Sequence, residues 1–290
     1  MQVLRPTSVT EALALLDASD EDAKIISGGT ALMLMLRNGL VFPSGLIALD
    51  RIEGLDYIKA DDAEIRIGAL TTLRTMERSA ELQALLPTLT QALGMVANHR
   101  VRNRATIAGN VCEADYASDP PSILTTLGCQ VRVEGPEGER LIPLPELLVD
   151  YYETSLEHNE LAVEVIIPTP VAGTRTNYLK YVSRSSEDRP CVGVAASLST
   201  GDDGLCRRVN VQIAGATATP FSIPSVLKEC EGAEPSKETW EHIARSYAEA
   251  IEPIDDVRGS AAYRRRVTRV LVERALREMN DDYVNGATKL

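Results

Sequence analysis

The feature that most constrains the fold lies between residues 25 and 32, where a short apolar run passes through two glycines into a second apolar run. We interpret Lys24–Ile26 as a short buried strand, Ser27-Gly28-Gly29 as a turn, and Thr30 to Asn38 as a helix ended by Gly39. Such a turn leaves backbone N–H groups at the helix start without partners. Together with the helix dipole they form an anion site that needs no basic side chain.

A purely structural turn is the alternative, because glycine is common in tight turns whether or not a ligand binds there. The sequence contains neither the GxGxxG pattern of dinucleotide-binding folds nor the GxxxxGK[ST] pattern of P-loop proteins. The net charge of −12 argues against nucleic acid, whose binders need a basic face. An acidic chain that binds a phosphate must use local devices, such as backbone amides or a few placed cations.

A second group of hydrogen-bond donors follows His99, where Arg100, Arg102 and Arg104 precede a Thr-x-x-Gly-Asn turn at 106–110. A solvated charged face is the alternative interpretation of this cluster. Two donor-rich loops on one domain predict a diphosphate held between them. Asp119 stands before two prolines, in a segment expected to be a rigid loop. Its carboxylate either accepts a hydrogen bond from a sugar hydroxyl or a ring N–H, or it stabilises the turn.

The remaining pattern predicts a chain of alternating strands and helices. The interpreted segments are a helix capped by Ser8, a strand at 64–68, two helices within 71–98, a hairpin around 135–138, a strand at 161–168, three strands at 176–183, 191–199 and 207–215, and a long helix from Ser260 to about Met279. The domain boundary is expected at 171–174. A length of 290 residues fits two domains of ordinary size.

Cysteine usage and the sequence start limit the function classes. The five cysteines are far apart and form no CxxC pair or Cys/His cluster, which favours reduced thiols and predicts neither zinc nor an iron–sulfur cluster in this chain. No apolar run approaches the roughly 18 residues needed to cross a bilayer. The first residues lack the pattern of a Sec signal, so a cytoplasmic location is expected.

Five segments, in order along the chain, resemble the FAD-binding (medium) subunit of the xanthine dehydrogenase and carbon monoxide dehydrogenase family of molybdenum hydroxylases. They are SGGTAL at 27–32, EIRIGALTT at 64–72, RNRATIAGN at 102–110, YLKYVSRSSEDRPCVGVAASL at 178–198 and DVRGSAAYRR at 256–265. The resemblance implies an α+β chain in two parts. A two-lobed FAD-binding domain of the vanillyl-alcohol oxidase (PCMH) type covers 1–170, with lobes of about 1–60 and 61–170. A small three-stranded α+β domain of the carbon monoxide dehydrogenase flavoprotein type covers 175–290.

The resemblance also implies the site residues. The FAD diphosphate is expected on two loops, which are Ser27, Gly28, Gly29, Thr30 and Ala31, and Thr106, Ile107, Ala108, Gly109 and Asn110. Asp119 and Lys180 match positions that contact the flavin or its sugar in relatives, and the 185–188 loop is expected near the exposed face of the flavin ring. Many relatives have glycine where this chain has Ala108, which cannot take a positive φ cheaply. No catalytic acid or base and no metal ligand is predicted.

The implied function is electron transfer. Substrate oxidation belongs to a large partner subunit with a molybdenum cofactor, and a small partner subunit relays electrons through two [2Fe–2S] clusters to the FAD of this chain. NAD, oxygen or another acceptor then receives them, and a dimer of heterotrimers is the expected assembly. A self-contained FAD-dependent reductase of the same fold, or a flavin-free structural subunit, are the alternatives; an unrelated nucleotide-binding module would leave the C-terminal resemblance unexplained. The organic substrate and the acceptor do not follow from the sequence.

Overall fold

The computed structural model describes residues 2–287, with the backbone alone described from 281 to 287. Its strands, in chain order, are β1 (Gln2–Leu4), β2 (Lys24–Ile26), β3 (Gly45–Ala48), β4 (Ile58–Ala60), β5 (Glu64–Gly68), β6 (Gln130–Gly135), β7 (Gly138–Pro143), β8 (Leu148–Asp150), β9 (Glu153–Thr154), β10 (Leu161–Pro168), β11 (Arg175–Tyr181), β12 (Val192–Thr200) and β13 (Cys206–Ala214). Its helices are α1 (Val9–Asp17), α2 (Leu32–Arg37), α3 (Leu73–Arg78), α4 (Ala80–Leu85), α5 (Pro87–Gly94), α6 (His99–Arg102), α7 (Ile107–Cys112), α8 (Pro120–Thr126), α9 (Leu144–Leu147), α10 (Pro224–Glu229), α11 (Lys237–Ala250) and α12 (Ala261–Ala287).

The chain divides into two compact units, each built from several segments. The first unit contains the residues up to Leu82, Ala97–Asp115 and Gly128–Thr169. The second contains Gln83–Val96, Tyr116–Leu127 and the chain from Pro170 onward. The mixed α+β fold predicted from the sequence is confirmed.

The first unit has a three-stranded parallel sheet of order β1-β3-β2 and a five-stranded antiparallel sheet of order β4-β5-β10-β6-β7. In the parallel sheet the central strand β3 is buried from Leu46 onward, whereas the edge strand β2 has an exposed Lys24 and two half-buried isoleucines. The expectation that Lys24–Ile26 is a buried strand is therefore wrong, because β2 lies at the sheet edge. In the antiparallel sheet β10 is central and buried from Leu161 to Ile167.

Local sequence signals explain where several helices begin. Ser8 caps α1 by accepting a hydrogen bond from the Glu11 amide at 3.1 Å, as predicted. Three helices, rather than the predicted two, fill the region from 71 to 98, because Ser79 is extended and separates α3 from α4. Pro87 then starts α5, since proline fixes its own φ and disfavours a helical conformation at Leu86.

The second unit is built on the three predicted strands, which form an antiparallel sheet of order β11-β12-β13. Residues from Val192 to Leu198 are all buried, and because side chains alternate along a strand both faces of this sheet are covered. One face packs on α11 and α12 through a hydrophobic cluster that includes Trp240, Leu271 and Leu276. Helix α8 also contacts β12 and β13. On α12, Val270 is exposed, whereas Arg264 is fully buried.

Candidate functional site

The first predicted loop, 27–31, joins β2 to α2 in a half-buried position. Gly29 has a φ of +71°, which glycine adopts without the strain that a side chain would bring. The first backbone hydrogen bond of α2 runs from the Met33 amide to the Gly29 carbonyl at 3.2 Å. The amides from Gly28 to Ala31 have no acceptor among the residues that the structure describes, so this loop has four consecutive donors without a partner there. Helix α2 has only six residues, so these amides, rather than a long helix dipole, provide the attraction for an anion.

The second predicted loop, 106–110, differs from the first in its hydrogen bonding. Thr106 is the N-cap of α7, and its hydroxyl accepts a hydrogen bond from the Gly109 amide at 3.2 Å. The amides of Ile107, Ala108 and Asn110 donate to the carbonyls of Thr71, Ala69 and Thr106, respectively. The backbone of this loop is therefore satisfied within the protein, and its contribution to an anion site is to support the first loop.

The two loops lie directly against each other. The Ser27 and Thr106 hydroxyls are 2.9 Å apart. A Cβ added to Gly28 would lie 1.9 Å from the carbonyl oxygen of Arg104, and one added to Gly109 would lie 2.6 Å from Ser27 Oγ. Both glycines are thus required by the close approach of the loops. Unpaired amides in a glycine-containing loop match the donors that a diphosphate needs, so the residues present fit the phosphate part of FAD.

The replacement of a family glycine by Ala108 costs nothing in this structure. Ala108 is in the first turn of α7, and it is not among the described residues with a positive φ. It is 6% exposed and its amide bonds to Ala69. The expected difficulty at this position does not arise, because helical backbone accepts alanine readily.

The predicted basic cluster separates into a structural arginine and exposed ones. Arg102 is buried, and its guanidinium donates to Glu77 Oε2 at 2.9 Å and to the Ala97 carbonyl at 2.9 Å. Arg100, Arg104 and His99 are exposed. Arg102 stabilises the connection between α3 and α6, so the cluster does not act as one phosphate-binding unit.

The second unit contains the other two predicted site residues, which form a buried ion pair. Lys180 Nζ lies 2.9 Å from Asp119 Oδ2, and the two side chains are only 5% and 4% exposed. Lys180 Nζ also donates to the Met95 carbonyl at 2.8 Å. Asp119 is the N-cap residue of α8 and ends the segment before that helix, which Pro120 begins.

Sequence reasoning missed Tyr178, whose hydroxyl donates to Asp119 Oδ1 at 2.5 Å. Tyr178 and Lys180 are two residues apart on β11, so their side chains leave the strand on the same face. That period of two is a signal that the sequence did contain. Burial raises the pKa of Tyr178 well above its ordinary value, and the nearby Asp119 carboxylate raises it further, so the hydroxyl stays protonated and donates.

The DVRGS segment at 256–260 has a structural part in the second unit. Asp256 accepts hydrogen bonds from Arg264 at 2.6 Å, from the Arg258 guanidinium at 2.7 Å and from Tyr116 at 2.8 Å. Burial alone would raise the pKa of Asp256, but these hydrogen bonds outweigh it and hold the pKa well below its ordinary range. Arg264 is fully buried and also binds the Cys191 and Ile254 carbonyls. This cluster ties the start of α12 to the sheet.

The 185–188 segment is an exposed turn in which the Ser185 amide bonds to Asp188 Oδ2 at 3.3 Å.

Within the described residues no group of three or more His, Cys, Asp or Glu side chains is placed to hold a metal ion. The five cysteines are all free. Burial raises the pKa of the Cys112 thiol to about 12.

Comparison with protein families gives two matches in tandem. Residues 1–170 match the family described as the FAD binding domain in molybdopterin dehydrogenase, and residues 177–279 match the carbon monoxide dehydrogenase flavoprotein C-terminal domain. The chain belongs to the FAD-binding subunits of the molybdenum hydroxylases. The resemblance and the oxidoreductase class predicted from the five sequence segments are confirmed.

Relatives of this FAD-binding subunit align over nearly the whole chain. It is 34% identical to the alpha subunit of the 6-hydroxypseudooxynicotine dehydrogenase complex of Paenarthrobacter nicotinovorans, over 93% of this chain and 90% of that protein. It is 30% identical to the carbon monoxide dehydrogenase medium chain of Hydrogenophaga pseudoflava, over 93% and 94% of the two chains. A solved structure of the Hydrogenophaga pseudoflava carbon monoxide dehydrogenase superposes with a TM-score of 0.92 at 30% identity, covering 96% of each chain.

These relatives are subunits of multi-subunit dehydrogenases, as their names "medium chain" and "subunit alpha" state. The described part of the chain has no helix that is both long and apolar enough to span a bilayer.

Proposed function

We propose that this chain binds FAD and passes electrons from the [2Fe–2S] clusters of a partner subunit to an external acceptor. The observation that carries the proposal is the row of four amides from Gly28 to Ala31 that have no acceptor within the described residues, in a loop packed against residues 104–109, in a chain of the FAD-binding family. When bound, FAD supplies the ability to take up electrons and to release them to an acceptor.

We assign the diphosphate to the first loop, with Ser27, Gly28, Gly29, Thr30 and Ala31 as its contacts. The second loop, with Thr106, Ile107, Ala108, Gly109 and Asn110, positions the first through the Ser27–Thr106 hydroxyl contact. Because the first loop uses amides, it can hold two negative phosphates in a protein whose net charge is −12.

We assign Asp119 and Lys180 to the flavin or its sugar. An ammonium group has three donors, and the contacts of Lys180 with Asp119 and Met95 account for two of them within the described residues. We propose that the third donor serves the cofactor. A lysine near the flavin ring would favour the reduced cofactor, so Lys180→Met should lower the flavin reduction potential; an unchanged potential would remove Lys180 from the mechanism.

The partners in this proposal are a large molybdenum-cofactor subunit and a small [2Fe–2S] subunit, assembled as a dimer of heterotrimers. The names of the relatives as subunits of dehydrogenase complexes support the presence of partner subunits, and the dimeric stoichiometry is part of the proposal. NAD, oxygen or another oxidant is the acceptor. A cytoplasmic location stays a prediction, which cell fractionation tests.

The test starts with the chain expressed together with its neighbouring genes, purified, mixed with FAD and desalted. A retained flavin absorbance that heat releases as FAD is the expected result. The complex is then reduced anaerobically with dithionite and mixed separately with NAD and with oxygen, and reoxidation of the flavin band identifies the acceptor. A complex that contains all three subunits yet retains no flavin would contradict the proposal and favour a flavin-free structural subunit.

A further inference from the structure

The Asp119–Lys180 ion pair does not stand alone, because a third buried side chain completes it. Tyr178 is 5% exposed, and its hydroxyl lies 2.5 Å from Asp119 Oδ1 while Lys180 Nζ lies 2.9 Å from Oδ2. Each oxygen of the Asp119 carboxylate therefore has a different donor. A carboxylate held at both oxygens cannot rotate without losing one of these hydrogen bonds.

We propose that Tyr178 is a positioning residue for electron transfer, which fixes the Asp119 carboxylate and so determines how strongly the Lys180 ammonium acts on the flavin. The proposal rests on the function proposed above and adds to it a residue whose role runs through Asp119. Tyr178 acts through Asp119, because its hydroxyl shares the negative charge of that carboxylate with Lys180.

The fold makes specific room for the Tyr178 hydroxyl. Lys180 pairs with Gly193 across the β11–β12 ladder, and Tyr178 pairs with Ala195. A Cβ at Gly193 would lie 2.7 Å from Tyr178 Oη and 3.3 Å from the Ala214 Cβ. The φ of Gly193 is not in the left-handed region, so its backbone conformation does not require glycine. Glycine is needed at this position because a side chain would collide with the Tyr178 hydroxyl.

Loss of the Tyr178 hydroxyl should shift the flavin reduction potential in one direction. Without the hydrogen bond from Tyr178, more of the negative charge of the Asp119 carboxylate acts on Lys180, so the carboxylate neutralises the ammonium more completely. Lys180 then favours the reduced cofactor less. We expect Tyr178→Phe to lower the ratio of affinities for reduced and oxidised FAD about tenfold, which is about 30 mV for a two-electron couple.

The experiment measures the flavin reduction potential of the purified complex by equilibration with a reference dye, for the wild type and for Tyr178→Phe. Gly193→Ala provides a second, independent displacement of the same hydroxyl, and the two variants should shift the potential in the same direction. Tyr181→Phe is the matched control. It removes a tyrosine hydrogen bond of the same 2.5 Å length from the same strand, but one made to Tyr263.

A double variant separates positioning from general packing. If Tyr178 acts through the ion pair, Tyr178→Phe added to Lys180→Met should leave the potential of the single Lys180→Met variant unchanged. An equal shift in both backgrounds would overturn the proposal. The proposal would also be overturned if the ratio of affinities for reduced and oxidised FAD changed by less than twofold in both the Tyr178→Phe and the Gly193→Ala complexes that retain FAD. A wild-type complex without FAD would overturn the proposed function and this inference together.

Discussion

Replacing Gly28 by alanine tests the proposed phosphate loop most directly. The new Cβ would lie 1.9 Å from the Arg104 carbonyl oxygen, 2.7 Å from the Arg104 carbonyl carbon and 3.1 Å from the Ala105 Cα. All three are backbone atoms, so no side-chain rotation relieves the contact. The oxygen must move by about 1.1 Å to reach the 3.0 Å separation below which real Cβ contacts are essentially never found.

The magnitude follows from that displacement. Overpacking of this kind costs about 1–3 kcal/mol of folding free energy. A shift of about 1.1 Å between the loops is also enough to take the 2.9 Å contact between the Ser27 and Thr106 hydroxyls beyond hydrogen-bond range. Losing one amide hydrogen bond to a charged phosphate, worth about 1.5–3 kcal/mol, weakens FAD binding by about ten- to a hundred-fold.

The assay titrates FAD into flavin-stripped protein and follows flavin fluorescence, with a urea unfolding curve for each variant. Gly39→Ala is the matched control, because Gly39 has a φ of +66° and its added Cβ would meet only Phe42, at 3.8 Å. That variant should lose about 1 kcal/mol of stability through backbone strain and keep its FAD affinity. If folded Gly28→Ala protein binds FAD as tightly as the wild type, the contact between the two loops has no part in the site.

Three further predictions concern other parts of the structure. Ala108→Gly should leave FAD affinity within about twofold, because Ala108 has ordinary helical backbone, and should cost about 0.5–1 kcal/mol of stability in urea unfolding; a large gain in affinity would contradict this. Asp256→Asn should lower the free energy of unfolding by about 3–5 kcal/mol, since it leaves the fully buried Arg264 without its carboxylate. Asp203→Asn, which breaks an exposed pair with Arg207, should cost at most about 1 kcal/mol in the same assay. The pKa of Asp256 is lower in the folded than in the unfolded state, so its stabilisation is complete above about pH 4 and is lost as the pH falls further; equal acid sensitivity of the wild type and Asp256→Asn would refute the assignment.

Contacts between residues far apart in the sequence decide which of the predicted donors are used within the protein. Arg102 reads as one of three adjacent cations, yet it is buried because Glu77, 25 residues earlier, supplies its counterion. The amides after Thr106 look like open donors in a Thr-x-x-Gly-Asn turn, but the carbonyls of Ala69 and Thr71 accept two of them. Neither partner is visible from local composition.

The sequence by itself determined the elements whose causes are local. The Ser8 cap, the hairpin at 135–138, the three strands of the second unit and the glycine turn after Ile26 all follow from side-chain period, turn chemistry and capping, which act within a few residues. Tertiary structure alone decided that Gly28 packs on Arg104 and that Tyr178 reaches Asp119 across 59 residues. It also decided that four amides of the first loop have no acceptor within the described residues, whereas those of the second loop do. Those outcomes depend on which distant backbone or side-chain group arrives within hydrogen-bond distance, and only the packed chain fixes that distance.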